Sequence, residues 1–235
     1  MSEGIRINQY LAKCGVASRR EADRMITEGR VTIDGHTALL GDRIIGGEEV
    51  KLDKKPVNIC DDRVVLAVNK PVDVVCTTAE FKGEKNIINL INYPTRVFPV
   101  GRLDKASEGL IFLTNDGELS QHIAAASNMH EKEYEVTVNK DLTPDIIYKL
   151  RGEMVINIEG TLYTTRPCKV KKTGARSFNI ILTQGFNRQI RRMCETLGIK
   201  VLSLKRVRIM NVRLGDIPVG SYRVLDKKEV DKLCE

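Results

Sequence analysis

The sequence contains no tryptophan, and aromatic residues make up 5% of the chain. Composition therefore does not advertise a stacking platform for single-stranded nucleic acid. No apolar run approaches the roughly 18 residues that would span a bilayer. Residues 1–8, MSEGIRIN, lack the apolar centre of a signal peptide. The expectation is a cytoplasmic protein that does not engage a membrane. Histidine is confined to His36, His122 and His130, and the six cysteines (Cys14, Cys60, Cys76, Cys168, Cys194 and Cys234) include no CxxC pair. That set gives little support to a metal cluster. Reduced thiols are expected, several of them packed as small hydrophobes, and no metal. Glycine-rich phosphate loops, internal repeats and low-complexity tracts are also missing.

What is present is positive charge. The formal net charge is +7, which favours polyanionic partners, either nucleic acid or an acidic membrane face. The 235 residues leave room for a small domain followed by a medium one. Residues 1–52 read as the small module. Ile7, Tyr10, Leu11 and Cys14 fall at helical spacing and Gly15 can end that helix. Ser18-Arg19-Arg20-Glu21 fits a capping box, followed by an apolar stripe of Ala22, Met25 and Ile26 that Gly29 closes. Val31-Thr32-Ile33 alternates like a strand and runs into Asp34-Gly35, a tight-turn pair, with a further short strand at 49–52. Residues 53–62 are polar, contain Pro56 and read as a linker.

From residue 63 the pattern changes. Strand-like runs fall at 64–68, 74–77, 97–100, 110–114, 134–138, 155–158, 178–183, 201–204 and 207–212. Helical stretches fall at 86–91, 118–126, 145–150, 188–197 and 227–234. Strands and helices do not alternate strictly, so a doubly wound parallel sheet is disfavoured. The expectation is α+β: a mixed, mostly antiparallel sheet with flanking helices.

Two segments carry candidate chemistry. In Gly101-Arg102-Leu103-Asp104-Lys105-Ala106-Ser107-Glu108-Gly109, a polar loop sits between two apolar strands. Rigid scaffolds commonly hold catalytic groups at such places, although spacing alone favours a turn-forming or capping aspartate. The second segment is Gln184-Gly185-Phe186-Asn187-Arg188-Gln189-Ile190-Arg191-Arg192-Met193-Cys194-Glu195. There Ile190, Met193, Cys194 and Leu197 form a buried helix face, Arg188, Arg191, Arg192 and Glu195 fall on the other side, and Asn187 is a candidate N-cap. Between Arg188 and Arg213 stand eight Lys or Arg and one acid, Glu195. An unbalanced block of this kind points to nucleic-acid backbone contact. An arginine turned inward would instead pair with a buried carboxylate and favour its ionised form.

These residues carry a resemblance. GRLDKASEGLIFLTNDG at 101–117, HEKEYEV at 130–136, QGFNRQIRRMCE at 184–195 and AVNKP at 67–71 resemble, in order, the motifs of the RsuA-type pseudouridine synthases. The helix–SRREAD–helix–strand–DG–strand pattern of the first module resembles the small α-L, or S-four, RNA-binding domain that precedes their catalytic domain. The resemblance implies a small N-terminal RNA-binding domain over 1–52, a linker over 53–62 and a pseudouridine synthase domain over 63–235. It implies that Asp104 is the catalytic aspartate, Tyr134 the active-site tyrosine and Arg191 the arginine that pairs with the aspartate. Arg188 or Arg192 remain open for that last role if the helix phase differs by a position. The basic residues expected to meet RNA are Lys13, Arg19, Arg20 and Arg24 in the first domain. In the second they are Lys70, Arg102, Arg188, Arg192, Lys205, Arg206 and Arg208. Some relatives carry a basic tail beyond the catalytic domain; this sequence ends at Glu235, so the RNA affinity such a tail confers is expected to be absent or supplied by the α-L domain.

The implied reaction breaks the C1′–N1 bond of uridine, turns the uracil and joins C5 to C1′. Atoms and electrons are conserved, so no cofactor is expected. The implied substrate is structured RNA, with large-subunit (23S) ribosomal RNA as first expectation and transfer RNA as the alternative; a monomer is expected. Without the resemblance, Tyr134 reads rather as an ordinary strand aromatic in a core. A non-catalytic RNA-binding assembly factor and a DNA-binding regulator are the rival classes.

Overall fold

The computed structural model describes residues 4–59, 63–79 and 82–235. The chain divides into two compact units: residues 1–64 together with 93–97 and 115–117, and residues 65–92, 98–114 and 118–235.

In the first unit the local signals act as expected. The helix Ile7–Lys13 buries Ile7, Tyr10 and Leu11, and Gly15 reverses the chain with φ of 75°. The helix Arg19–Thr27 opens on a capping box in which the Glu21 amide donates to Ser18 Oγ at 3.2 Å and the Ser18 amide donates to Glu21 Oε2. Such a cap contributes about 1 kcal/mol and fixes where the helix starts. Ala22 and Ile26 then meet Ile7, Leu11, Val31 and Val50 in one core. Val31–Ile33 turns back through Asp34 and Gly35, both at positive φ, onto His36–Thr37.

The expected linker opens differently. Asp53 and Lys54 both adopt positive φ and fold Val50–Leu52 onto Lys55–Pro56. Its first residues therefore complete a four-stranded sheet. Two left-handed residues in succession make a hairpin turn, which an Asp-Lys pair does not advertise as Asn-Gly would. Residues 60–62 of that stretch, with Cys60, lie outside the described residues. Cys14, Cys76, Cys168, Cys194 and Cys234 are free thiols.

The second unit is built on a nine-stranded sheet. Along its path run Lys169–Lys172, Ser177–Leu182, Lys132–Val138, Val201–Ile209, Glu108–Thr114, Val65–Lys70 and Tyr222–Val224. Every neighbouring pair on it is antiparallel except Glu108–Thr114 with Val201–Ile209, which is parallel. This is the mixed, mostly antiparallel α+β architecture expected from the pattern.

Gly109 makes the parallel contact possible. It pairs with Arg206 at φ of 102°, and a Cβ there would lie 2.3 Å from the Arg206 carbonyl oxygen. Only glycine tolerates both the conformation and the approach. The core beneath this part of the sheet gathers Val65, Ala67, Leu110, Phe112, Leu119, Ile123 and Ile209.

The separate strands expected at 201–204 and 207–212 are one strand, Val201–Ile209, which turns at Met210 into Val212–Arg213. Lys205-Arg206 interrupts the apolar pattern without interrupting the strand, because the Arg206 side chain is buried in the sheet and donates to Leu110 O at 2.6 Å.

Candidate active site

Phe98–Val100 pairs antiparallel with Glu108–Thr114, so residues 101–107 form the loop that joins the two strands. Its backbone is held from several directions. Gly101 starts it at φ of 69°. The buried Leu103 donates its amide to Cys76 Sγ at 3.4 Å, and the Ser107 amide closes a turn onto Asp104 O at 3.0 Å. Lys105 O accepts from the Asp73 amide at 2.8 Å and faces Lys70 Nζ at 3.5 Å. Ala106 O accepts from Arg191 Nη2 at 2.8 Å, and the same nitrogen lies 3.3 Å from Ser107 Oγ. The result is a half-buried Asp104 carboxylate on a rigid loop, facing a cavity of about 200 Å³.

The opposite wall comes from strand register. Tyr134 pairs with Arg206 across the neighbouring strand, and Lys132 lies two residues from Tyr134 on the same strand. Side chains two apart along a strand, and residues directly opposite across strands, share one face. Lys132, Tyr134 and Arg206 therefore line the cavity with Asp104, joined by Gln184 and Phe186 from beyond the Ser177–Leu182 strand. Phe186 also meets the Tyr163 ring, with centroids 5.1 Å apart.

Buried positive charge dominates the surroundings. Burial and the neighbouring Arg206 charge push the Lys132 ammonium down to about 8. Burial likewise lowers the Lys70 ammonium and the Arg191 guanidinium, while attraction to Asp104 acts against burial in both. Asp104 is the one carboxylate on the cavity wall among the described residues.

Several expectations are corrected here. Arg191 does not pair directly with the Asp104 carboxylate: its guanidinium donates to Ala106 O, Ser107 Oγ and Val201 O. Nor does it lie on the solvent face of its helix. It is 8% exposed, because the helix Gln189–Thr196 packs with Arg191 turned under the loop. Arg192 cannot substitute, since it donates to Asn187 O and Asn157 O. Asn187 is not the N-cap. Arg188 occupies that position in the left-handed conformation, and Asn187 accepts from Arg192 instead.

The expected RNA contacts divide. Arg19, Arg20 and Arg24 are exposed on the second helix of the first unit, and Lys13 is half-buried. Arg102 and Arg188 are exposed and line the cavity. Arg192 and Lys205 are half-buried. Lys70 is completely buried, with Nζ donating to Pro71 O at 2.7 Å, so it supports the loop and cannot meet an RNA phosphate. Arg206 is buried in the cavity wall. Arg208 is neutralised by Glu131 and Glu133 at 2.9 Å each. Those acids sit on and beside a strand far away in sequence, so a charge count confined to 188–213 could not include them. Lys132 and Gln184 were not among the expected site residues. The period of 2 from Tyr134 was the available signal for Lys132.

Comparison with known proteins adds relatives in sequence and in fold. Residues 64–196 match the family model described as RNA pseudouridylate synthase, and residues 5–50 match the S4 domain. The chain is 48% identical over 228 residues to the dual-specificity RNA pseudouridine synthase RluF of Salmonella typhi, covering 96% of this chain and 77% of that protein. It is 33% identical over 247 residues to ribosomal large subunit pseudouridine synthase B of Haemophilus influenzae, covering all of this chain and 68% of that protein. A crystal structure of a pseudouridylate synthase superposes with a TM-score of 0.72 at 26% identity, covering 97% of this chain and 99% of the other.

Proposed function

The chain belongs to the RNA pseudouridylate synthase family, and on that premise we propose that it isomerises a specific uridine of structured RNA to pseudouridine, with Asp104 as the catalytic carboxylate. The observation that carries the reading is the shared cavity of Asp104 and Tyr134, with the loop carbonyls beside Asp104 bound to the buried cations Lys70 and Arg191. A carboxylate pinned in this way loses little freedom when it meets its target.

The carboxylate answers the electron deficiency that appears at C1′ as the glycosidic bond opens. It does so either by bonding to C1′ or by taking the proton whose loss leads to a glycal. Tyr134 packs its ring against the uracil while the base turns. Finally C5 bonds to C1′ and the C5 proton leaves. The reaction conserves atoms and electrons overall, so its balance requires neither an oxidant nor nucleotide energy. Arg191 acts as a positioning residue through the loop backbone rather than as a direct partner of Asp104.

The uridine must leave its stack to reach this cavity, at a cost of a few kcal/mol in a duplex and less in a loop. Exposed Arg19, Arg20 and Arg24 on the S4 domain, with Arg102 and Arg188 at the cavity, offset that cost through phosphate contacts. Large-subunit ribosomal RNA is the substrate that the named relatives support, since one of them is a ribosomal large subunit synthase. Transfer RNA, also a structured RNA with accessible loops, is the second substrate class. No helix among the described residues is long and apolar enough to cross a membrane. The protein acts in the cytoplasm as a monomer, with neither metal nor cofactor.

The test is tritium release from RNA containing [5-³H]uridine. The wild-type protein releases tritium, and Asp104→Asn abolishes release while the fold is retained. A folded Asp104→Asn protein with undiminished release refutes the assignment. Pseudouridine maps of total RNA with and without the gene then separate ribosomal from transfer RNA.

A further inference from the structure

The cavity contains more hydrogen-bond donation than its protein partners use. Gln184 is 7% exposed and Arg206 is 4% exposed, yet Gln184 Nε2 and one Arg206 nitrogen, Nη2, have no hydrogen-bond partner among the described residues. Buried N–H groups left unpaired are rare and costly, and each calls for an explanation such as a catalytic role. Beside them Lys132 Nζ has, among the described residues, one long contact, to His130 O at 3.4 Å. Two cations and an amide thus share a wall that holds Tyr134, opposite a single carboxylate.

Resting on the function proposed above, we propose that Lys132, Gln184 and Arg206 form an anion-stabilising wall for the departing uracil. When the C1′–N1 bond breaks, both bonding electrons go to N1. The negative charge spreads over the ring onto O2 and O4, while C1′ is met by the Asp104 oxygen or relieved by proton loss. Neutral uracil offers the same two carbonyl oxygens as weaker acceptors. The wall therefore binds the bond-broken state more tightly than the substrate, which is the condition for accelerating the step. The lowered Lys132 ammonium fits this picture: burial first, and then the neighbouring Arg206 charge, oppose its protonation.

The experiment compares uridine with 5-fluorouridine at the target position of the same RNA, in single turnover, for wild type, Gln184→Leu and Lys132→Met. Substrate loss is read by digestion and chromatography, and RNA affinity is measured separately. The fluorine withdraws electrons and stabilises the uracil anion by itself. With uridine, each variant should slow the step by about 10²-fold, as the loss of one donor to a developing anion does. With 5-fluorouridine the loss should shrink by about tenfold, with RNA affinity unchanged. Lys132→Arg, which keeps a charge, should recover most of the rate. An equal loss on both substrates overturns the proposal, as does a loss confined to RNA affinity. If either occurs while Asp104→Asn remains inactive, the parent assignment stands and only the role of the wall fails.

Discussion

Replacing Arg191 by methionine separates the two things a buried guanidinium can do, hold the fold or hold a catalytic loop. Of its three contacts, only the bond to Ala106 O, at 2.8 Å, has ordinary N–H···O length; those to Ser107 Oγ and Val201 O measure 3.3 and 3.4 Å. One good hydrogen bond from a charged donor contributes about 1.5–3 kcal/mol. Against that stands the cost of burying the charge, visible as a guanidinium lowered from its ordinary range by burial, and an Nε that finds no partner. Methionine removes the bond and the burial cost together, so the net loss of stability should be about 1 kcal/mol, or roughly 2–4 °C in Tm. Activity should respond far more. The Ala106 carbonyl is two residues from Asp104, and a misplacement near 1 Å of a reacting group costs about 10²-fold. The expected signature is kcat down about 100-fold with an almost unchanged melting temperature, read by tritium release and thermal unfolding on the same preparation. Arg191→Lys, able to reach one acceptor, should fall between. Two outcomes refute the reasoning: kcat within twofold of wild type, or a fall in Tm beyond about 10 °C with activity tracking the folded fraction.

Four further outcomes follow from the geometry. Gly109→Ala should destabilise the protein by about 3 kcal/mol or more, measured by urea unfolding, since it adds backbone strain and a Cβ 2.3 Å from Arg206 O. Lys132→Met should stabilise the protein near pH 7 while slowing catalysis. A lysine lowered from 10.5 to about 8 in the fold binds its proton less well there than in the unfolded chain. Wild-type stability should therefore rise between about pH 8 and 10.5, by ~3.4 kcal/mol without solvent screening and by ~1–2 kcal/mol with it, and the variant should lack that rise. Mutating Arg19, Arg20 and Arg24 together to alanine should weaken RNA binding uniformly and reduce the slope of log K against log salt by roughly 2 to 3. Arg188→Ala should weaken RNA binding, whereas Arg208→Ala should not, because Glu131 and Glu133 already neutralise Arg208; equal effects in a filter-binding titration would overturn that distinction.

Much of this was legible because the signals are local. The capping box at Ser18, the Asp34-Gly35 turn and the apolar runs of the central strands each act within a few residues of themselves. What escaped depends on partners far away in the chain. Thr161–Thr164 is exposed throughout, Lys169–Lys172 buries only Val170, and Tyr222–Val224 buries none of its residues, so none has the apolar alternation that marks a strand. The cations were the larger error. Lys70, Arg191, Arg206 and Arg208 look alike in a sequence, and each was expected at RNA or at the carboxylate. The structure gives the first two to loop carbonyls, the third to the cavity wall and the fourth to a pair of glutamates. Only exposure and partners distinguish a phosphate contact from a structural cation, and both are tertiary properties.

The same register ties these cations to the chemistry. Gly109 pairs with Arg206, and Arg206 pairs with Tyr134 on its other side. The strand that carries the Asp104 loop, the strand that carries Arg206 and the strand that carries Tyr134 and Lys132 are thus locked in one row. A slip of one residue along Val201–Ile209 would turn Arg206 to the opposite face and bring Lys205 or Val207 against Tyr134. Gly109 makes room for the pairing, because a Cβ at that position would collide with the Arg206 backbone. A glycine that reads as the start of a strand therefore lets the strand that follows the Asp104 loop lie close against the strand that carries Arg206.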